Sequence, residues 1–260
     1  MDFTYSIAGF VVGFIVGMTG VGGGSLMTPI LVLGFGIKPI IAVGTDLLYA
    51  AVTKSGGILV HNKKGTIEWR IVGLLALGSI PASIFAVFLL KYMDKSGINY
   101  NNLITSSLSI ALILTSIVLL FKDKLYQLAQ NERFDTVRAL HHQLQTPMTV
   151  IAGIILGFLV TLSSVGAGAL GAAILFFLYP RLPSIRIVGT DLAHAVPLTA
   201  VAGLGHVHLG TIDYYMLLSL IVGSLPGIYI GSHIATRLPE KFVRPALASM
   251  LMIIGIRLAI

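Results

Sequence analysis

Three acidic or basic side chains, Asp46, Lys54 and Asp191, lie well inside long apolar stretches of the sequence. A charge at the centre of a bilayer costs about 2.5–3.5 kcal/mol on insertion scales, so such groups usually face a cavity or a partner. Lys54 is therefore a candidate charge partner for an anion. An ionised carboxylate would repel an anion, whereas a buried carboxyl group can carry a proton. The two aspartates are candidates for proton coupling, or alternatively they satisfy backbone donors nearby.

His194 lies one helical turn beyond Asp191 and could extend a proton relay from it. No cluster of histidines and acidic residues has the spacing of metal ligands, and no Ser/His/Asp set resembles a hydrolase motif. The sequence therefore predicts neither an enzyme nor a protein with a metal or another cofactor.

Two glycine-rich clusters add backbone groups to the candidate site. Residues 20–25 and residues 163–168 each interrupt an apolar segment, and glycine costs about 1 kcal/mol relative to alanine inside a helix. Each cluster should unwind its helix, and the freed backbone N–H groups can hold an anion. Close helix packing through small residues is the alternative explanation. The predicted anion-binding residues are Gly22, Gly23, Gly24, Ser25, Thr45, Lys54, Ser163, Ser164, Gly166, Gly168 and Thr190.

One motif occurs twice in the chain. Val-Gly-Thr-Asp-Leu at residues 43–47 returns at residues 188–192, which is 145 positions later. The agreement continues at this offset in two further pairs of segments, 61–68 with 206–213 and 78–81 with 223–226. The sequence therefore predicts one structural unit used twice, an arrangement typical of transporters whose site lies between the halves.

The composition places these motifs in a membrane protein. The chain is 56% hydrophobic and 10% charged, whereas a soluble domain carries about 25% charged residues. Its net charge of +7 does not indicate a nucleic-acid partner, because the basic residues lie at the ends of apolar segments, where the membrane surface holds them. The candidate spans, each near or above the roughly 20 residues needed to cross a bilayer, are 5–35, 40–60, 71–90, 103–121, 148–178, 187–205, 214–235 and 243–260.

The basic residues between these segments favour one topology. If all eight segments cross, each side of the membrane receives eight Lys and Arg residues. If 5–35 and 148–178 turn back as re-entrant hairpins, the distribution becomes twelve against four, a clear positive-inside bias. We therefore expect an all-α polytopic protein with two inverted repeats, each a Gly-broken re-entrant hairpin plus three transmembrane helices. Eight crossings with parallel halves are the alternative.

The charge distribution also predicts the organisation of the chain. The first membrane repeat would cover residues 1–121, a cytoplasmic connecting loop 122–147, and the second repeat 148–260. Both termini would be periplasmic in a multi-pass protein of the bacterial inner membrane. The oligomeric state stays open, and a homodimer is one alternative.

Taken together, the motifs resemble those of the sulfite exporter TauE/SafE family of membrane permeases, over roughly residues 7–95 and 150–236. The resemblance implies transport of a small sulfur-containing anion, such as sulfite or an organosulfonate, by alternating access; a passive anion channel is the alternative. Many family members carry serine where this chain has Asp46, and Lys54 marks a subgroup, so the family name does not fix the substrate. The motifs are Gly20–Ser25, Gly44-Thr45-Asp46, His61-x-x-x-Gly65-Thr66-Ile67-Glu68-Trp69 and Gly78-Ser79-Ile80-Pro81, with their counterparts in the second half.

Overall fold

The structure is a computed structural model that describes residues 3–19, 24–130, 135–234 and 240–259. These ranges contain helices and short connections, and no β-strand. The first half comprises α1 (Phe3–Thr19), α2 (Gly24–Pro29) with a π-helical turn at Ile30–Gly34, α3 (Pro39–Lys63), α4 (Trp69–Lys95) and α5 (Asn101–Gln130). The second half comprises α6 (Asp135–Ser163), α7 (Ala169–Leu178), α8 (Ser184–His208), α9 (Tyr214–Ile234) and α10 (Glu240–Ala259).

Five of the described helices contain a stretch long and apolar enough to cross a membrane: Trp69–Lys95, Asn101–Phe121, Leu144–Ser163, Ser184–His208 and Tyr214–His233. The helix α3 has a comparable length of 25 residues but carries buried Asp46 and Lys54. The all-helical, polytopic membrane fold predicted from the sequence is confirmed. The stretch in α6 was predicted to be one arm of a hairpin, and its 20 residues would also suffice to cross alone.

Both Gly-interrupted segments reverse direction. The rings of Tyr5, near the start of α1, and Phe35, just after the π-helical turn, have centroids 5.1 Å apart. At the matching positions of the second half, Thr149 Oγ1 and Tyr179 OH lie 2.8 Å apart. The last residues of each segment therefore lie beside its first residues, Phe35 beside Tyr5 and Tyr179 beside Thr149. We refer to α1, α2 and the π-helical turn as the first hairpin, and to α6 and α7 as the second hairpin.

Each half packs its first helix against the other half. The helix α1 lies along α9, and α6 lies along α4. A Cβ atom on Gly13 would come 2.5 Å from the backbone oxygen of Ser224, and one on Gly157 would come 2.2 Å from that of Ser79. Only glycine permits backbones to approach this closely, as at the small-residue interfaces of membrane helices.

The two helices that carry the repeated motif pack together in an antiparallel pair. Gly44 near the start of α3 faces His206 near the end of α8, since a Cβ on Gly44 would lie 3.0 Å from His206 Nδ1. Gly189 faces His61 in the same way, at 2.7 Å from its Nδ1. The contacts made by one half are thus reciprocated by the other.

The hydrophobic core draws on both halves. One buried cluster joins Val12 and Leu26 to Met216 and Leu220. In the predicted connection, the helical backbone of α5 continues to Gln130 and that of α6 begins at Asp135. The division into a first repeat at 1–121, a connecting loop at 122–147 and a second repeat at 148–260 remains a prediction.

Candidate functional site

Asp46 of α3 touches both hairpins. It is fully buried, and Thr28 of α2 donates a hydrogen bond of 2.5 Å from Oγ1 to Asp46 Oδ2. Ser164, in the interruption between α6 and α7, also lies beside the Asp46 carboxylate. The repeated aspartate of the first half therefore lies where the two hairpins meet.

Lys54, about two turns further along α3, reaches the second hairpin. Its ammonium group donates a hydrogen bond of 2.7 Å to the backbone oxygen of Ala167, and the residue is only 6% exposed. Asp191 of α8 and Asp46 of α3 are carboxylates whose charges act on Lys54. We call Asp46, Lys54 and Asp191 the charge cluster; it carries a formal charge of −1 when all three groups are ionised.

Asp191 occupies a tight position against α7. It is 4% exposed, and a Cβ on Gly171 would lie only 1.9 Å from Asp191 Oδ1. No hydrogen-bond partner for that oxygen occurs among the residues that the structure describes. The carboxyl group is thus held by packing and by the Lys54 charge.

His194 lies beside the charge cluster and is buried. Its Nε2 is 2.8 Å from Ser79 Oγ of α4, whereas its Nδ1 finds no partner within the described ranges. Lys54 acts on the histidine electrostatically. The three residues predicted to carry a proton, Asp46, Asp191 and His194, thus share Lys54 as an electrostatic neighbour.

The interruption in the second hairpin has the backbone that its sequence predicts. Ser164, Gly166 and Gly168 have positive φ angles of 57°, 116° and 137°, which glycine adopts far more readily than other residues. The next helix, α7, begins at Ala169; the N–H groups of Gly171 and Ala172 bond to the carbonyls of Gly166 and Gly168, which leaves those of Ala169 and Leu170 as the first-turn donors not bonded to these carbonyls. These donors follow Ala167 directly, so they and the Lys54 ammonium group converge on the same break.

Ser163 supports this break structurally. Its hydroxyl donates to the backbone oxygen of Leu159 at 2.7 Å and accepts from the backbone N–H of Val165 at 3.1 Å. The first hairpin meets the break through its own apolar side chains, since Leu26 and Met27 share a buried cluster with Val165.

Part of the predicted site in the first hairpin lies outside the described residues, namely Gly22 and Gly23. Gly24 and Ser25 form the first turn of α2. The anion-binding role of these four residues therefore stays a prediction.

The structure places Thr45 inside α3 and Thr190 inside α8, where each bonds to a turn between two other helices. Thr190 Oγ1 accepts a hydrogen bond of 3.0 Å from the backbone N–H of Glu68, and Thr45 Oγ1 accepts one of 3.1 Å from that of Asp213. Each threonine thus holds the turn of the opposite half, and neither hydroxyl is brought into the charge cluster by these bonds. Their part in anion binding stays a prediction.

Two residues of the site were missed by sequence reasoning, Thr28 and Gly171. Comparison of the two halves did not reveal either residue, because neither is repeated. Thr28 is matched by Ala172, and Gly171 is matched by Met27. The one available signal for Thr28 was a polar residue in an apolar segment, three positions after the glycine-rich cluster that ends at Ser25.

Comparison with known proteins agrees with the motifs. The sequence model of the sulfite exporter TauE/SafE family matches residues 5–258. The probable membrane transporter protein YjnA of Bacillus subtilis (strain 168) is 34% identical over 258 residues, which cover 99% of this chain and 100% of the relative. YdhB of the same organism, also a probable membrane transporter protein, is 30% identical, with 94% and 97% covered.

A more distant relative comes from an archaeon. The probable membrane transporter protein MJ0441 of Methanocaldococcus jannaschii is 27% identical, over 96% of this chain and 92% of the relative. No solved structure matches the chain. Since the family match runs nearly from end to end, the chain belongs to the sulfite exporter TauE/SafE family.

Proposed function

We propose that the protein is a secondary transporter that carries a small anion, sulfite or an organosulfonate, across the bacterial inner membrane. The observation that carries this proposal is the convergence of both hairpins on one buried charge cluster. Thr28 of the first hairpin bonds to Asp46, and Ala167 of the second hairpin bonds to Lys54. Membership in the TauE/SafE family supports a sulfur-containing anion as the cargo.

The proposed anion site combines the Lys54 ammonium group with the N–H groups of Ala169 and Leu170 in the first turn of α7. Both are positive in character, because the N-terminus of a helix carries a partial positive charge. Lys54 already contacts the carbonyl of Ala167 immediately before that helix. An anion placed at the break would therefore accept hydrogen bonds from a full charge and from backbone donors together.

The proton is the proposed coupling ion. With both aspartates ionised, the charge cluster bears a net negative charge and repels an anion. Each proton that binds to a carboxyl group removes one negative charge, so protonation favours anion binding. By thermodynamic reciprocity, the bound anion favours protonation to the same extent.

Alternating access would result from rocking of the two halves around this point. The antiparallel packing of α3 and α8 supports an inverted arrangement of the repeats in the bilayer. The positive-inside distribution supports periplasmic termini and a cytoplasmic connection at 122–147.

Flux through purified protein in proteoliposomes tests the proposal. Sulfoacetate is the better first probe, because its sulfonate stays charged, whereas acidified sulfite forms a neutral species that crosses lipid unaided. We expect saturable uptake that an inward proton gradient accelerates, together with counterflow against unlabelled sulfoacetate. Protein-free liposomes are the control. A flux that rises linearly with voltage and shows no counterflow would instead identify a passive anion channel.

Substitution of Lys54 tests the site itself. Lys54→Met should abolish measurable sulfoacetate binding, and Lys54→Arg should retain part of it, since the charge is kept. Lys63→Met, at the exposed end of the same helix, is the matched control. Wild-type affinity in Lys54→Met would remove the lysine from the anion site.

A further inference from the structure

We propose that Asp191 and the transported anion compete for Lys54, so that Asp191 takes up the coupling proton, while Asp46 remains a fixed structural carboxylate. This inference rests on the proposed function and deepens it. It assigns unequal roles to two aspartates that occupy the same position of the repeated motif.

The first observation is that Asp46 is tied to its surroundings by the hydroxyl group of Thr28. Thr28 donates to Asp46 Oδ2 at 2.5 Å, whereas Asp46 Oδ1 has no hydrogen-bond partner among the described residues. The bond links α3 to the first hairpin. Asp46 therefore has a polar partner that does not depend on Lys54, and an anion that engages Lys54 leaves this bond in place.

The second observation is that Asp191 lacks an equivalent of the Thr28 bond, since Ala172 occupies the matching position. Its Oδ1 is packed against the Cα of Gly171 and has no hydrogen-bond partner in the described part of the chain. Lys54 is the positive charge that acts on it. If an anion takes over Lys54, the negative charge of Asp191 loses its counter-charge inside a buried site, where an uncompensated charge is costly.

The surroundings of Asp191 contain few other titratable groups. The helix α8 packs against α3, α4, α6 and α7. From α3 the facing groups are Lys54, Asp46 and His61, which lies against Gly189 two positions before Asp191. On α8 itself the nearest group is His194, which contacts the neutral Ser79 of α4. Neither α7 nor the stretch Leu144–Ser163 of α6 contains an ionisable residue. His194 and His61 are thus the remaining groups through which a proton could reach Asp191.

The charge balance gives the coupling ratio. The ionised cluster has a formal charge of −1, and a monovalent anion at Lys54 would change the total to −2. One proton on Asp191 returns the total to −1, so one proton accompanies one negative charge. The logarithm of the apparent dissociation constant should therefore rise with pH, approaching about tenfold weaker binding per pH unit once Asp191 is mostly ionised.

Binding of methanesulfonate, a monovalent organosulfonate, to the purified protein, measured by calorimetry across a range of pH, tests this inference. Wild type should show the slope described above. Asp191→Asn should bind with an affinity that changes less than about twofold per pH unit, whereas Asp46→Asn should keep the wild-type slope. An Asp191→Asn profile as steep as wild type, or a flat profile in Asp46→Asn, would overturn the assignment.

A second variant keeps the test informative if Asp191→Asn does not fold. Gly171→Ala leaves every ionisable group in place but forces Asp191 away from α7, because the new methyl group would overlap Oδ1. Its pH profile should be displaced along the pH axis by at least about half a unit, and Gly73→Ala, which meets nothing within 4 Å, should not be displaced. An unmoved Gly171→Ala profile contradicts the inference.

The outcomes separate this inference from the proposed function. If wild type binds no sulfoacetate and no sulfite at any pH, the proposed anion site is wrong. If wild type binds an anion with an affinity independent of pH, the anion site stands and the competition for Lys54 is wrong.

Discussion

The hydroxyl of Thr28 donates a hydrogen bond of 2.5 Å to Asp46 across 18 positions of the sequence. The second half has no equivalent bond, because alanine occupies position 172, which matches Thr28. The aspartate of the repeated motif thus occurs in both halves, whereas its hydroxyl donor occurs in only one. Identical motifs therefore lie in different chemical environments, and substitutions in the two halves should have different effects.

Thr28→Val should destabilise the fold. Valine has a similar shape but leaves a fully buried carboxylate without its hydroxyl donor, and an unsatisfied buried group costs about 1–3 kcal/mol. The measurement is the free energy of unfolding in mixed detergent micelles. Thr53→Val is the control, because Thr53 bonds to the carbonyl of Tyr49 in its own helix. Equal losses in the two variants would show that the Thr28–Asp46 bond adds no stability.

Gly157→Ala should prevent normal packing of α6 on α4. A methyl group at this position would come 2.2 Å from the backbone oxygen of Ser79, and overpacking typically costs about 1–3 kcal/mol. We expect a loss at the top of that range, seen as a lower yield of monodisperse protein and a lower melting temperature. Gly73→Ala has open space around the new methyl group and should behave as wild type. A normal melting temperature in Gly157→Ala would contradict the close approach.

Single cysteines at Lys38 and Arg181 should report opposite sides of the membrane. Both residues are exposed, and each follows one of the hairpins. The chain contains no cysteine, so the parent protein gives no labelling background. A membrane-impermeant maleimide should label Lys38→Cys in intact cells and Arg181→Cys only after permeabilisation. Labelling of both from the same side would favour eight crossings with parallel halves.

Thr190→Val should destabilise the protein more than Arg186→Gln, although both substitutions remove a contact with Glu68. Thr190 is buried and accepts the Glu68 backbone N–H, so its loss should cost about 1–3 kcal/mol. The ion pair between Arg186 and Glu68 is exposed, with 47% and 31% of the two side chains accessible. Such pairs contribute about 0–1 kcal/mol. Unfolding of both variants under one set of conditions gives the comparison, and a larger loss in Arg186→Gln would refute it.

The features predicted well from the sequence have local causes. The interruption at 163–168 was predicted because several glycines cannot hold a regular helix, and Gly166 and Gly168 do adopt positive φ angles. The helical membrane fold was predicted because long apolar stretches leave few alternatives. The candidate charges were found because Asp46, Lys54 and Asp191 are exceptions within those stretches.

The features that were missed depend on which surfaces face each other. Glycines recur at every fourth residue at 9, 13 and 17 in α1 and at 223, 227 and 231 in α9. This spacing is typical of a close helix interface, but it does not show that these two helices are partners. The contact of Gly171 with Asp191 was missed for the same reason, since it joins two helices whose packing is decided by the whole fold.

The exchange of first helices between the halves has a consequence for how the protein is made. The glycine face of α1 packs on α9, which begins at Tyr214. While the ribosome is still synthesising the first half, that face has only lipid or the translocation machinery to contact. The first hairpin therefore cannot reach its final position until most of the chain has entered the membrane. A product truncated before α9 should be degraded and should not accumulate in the membrane.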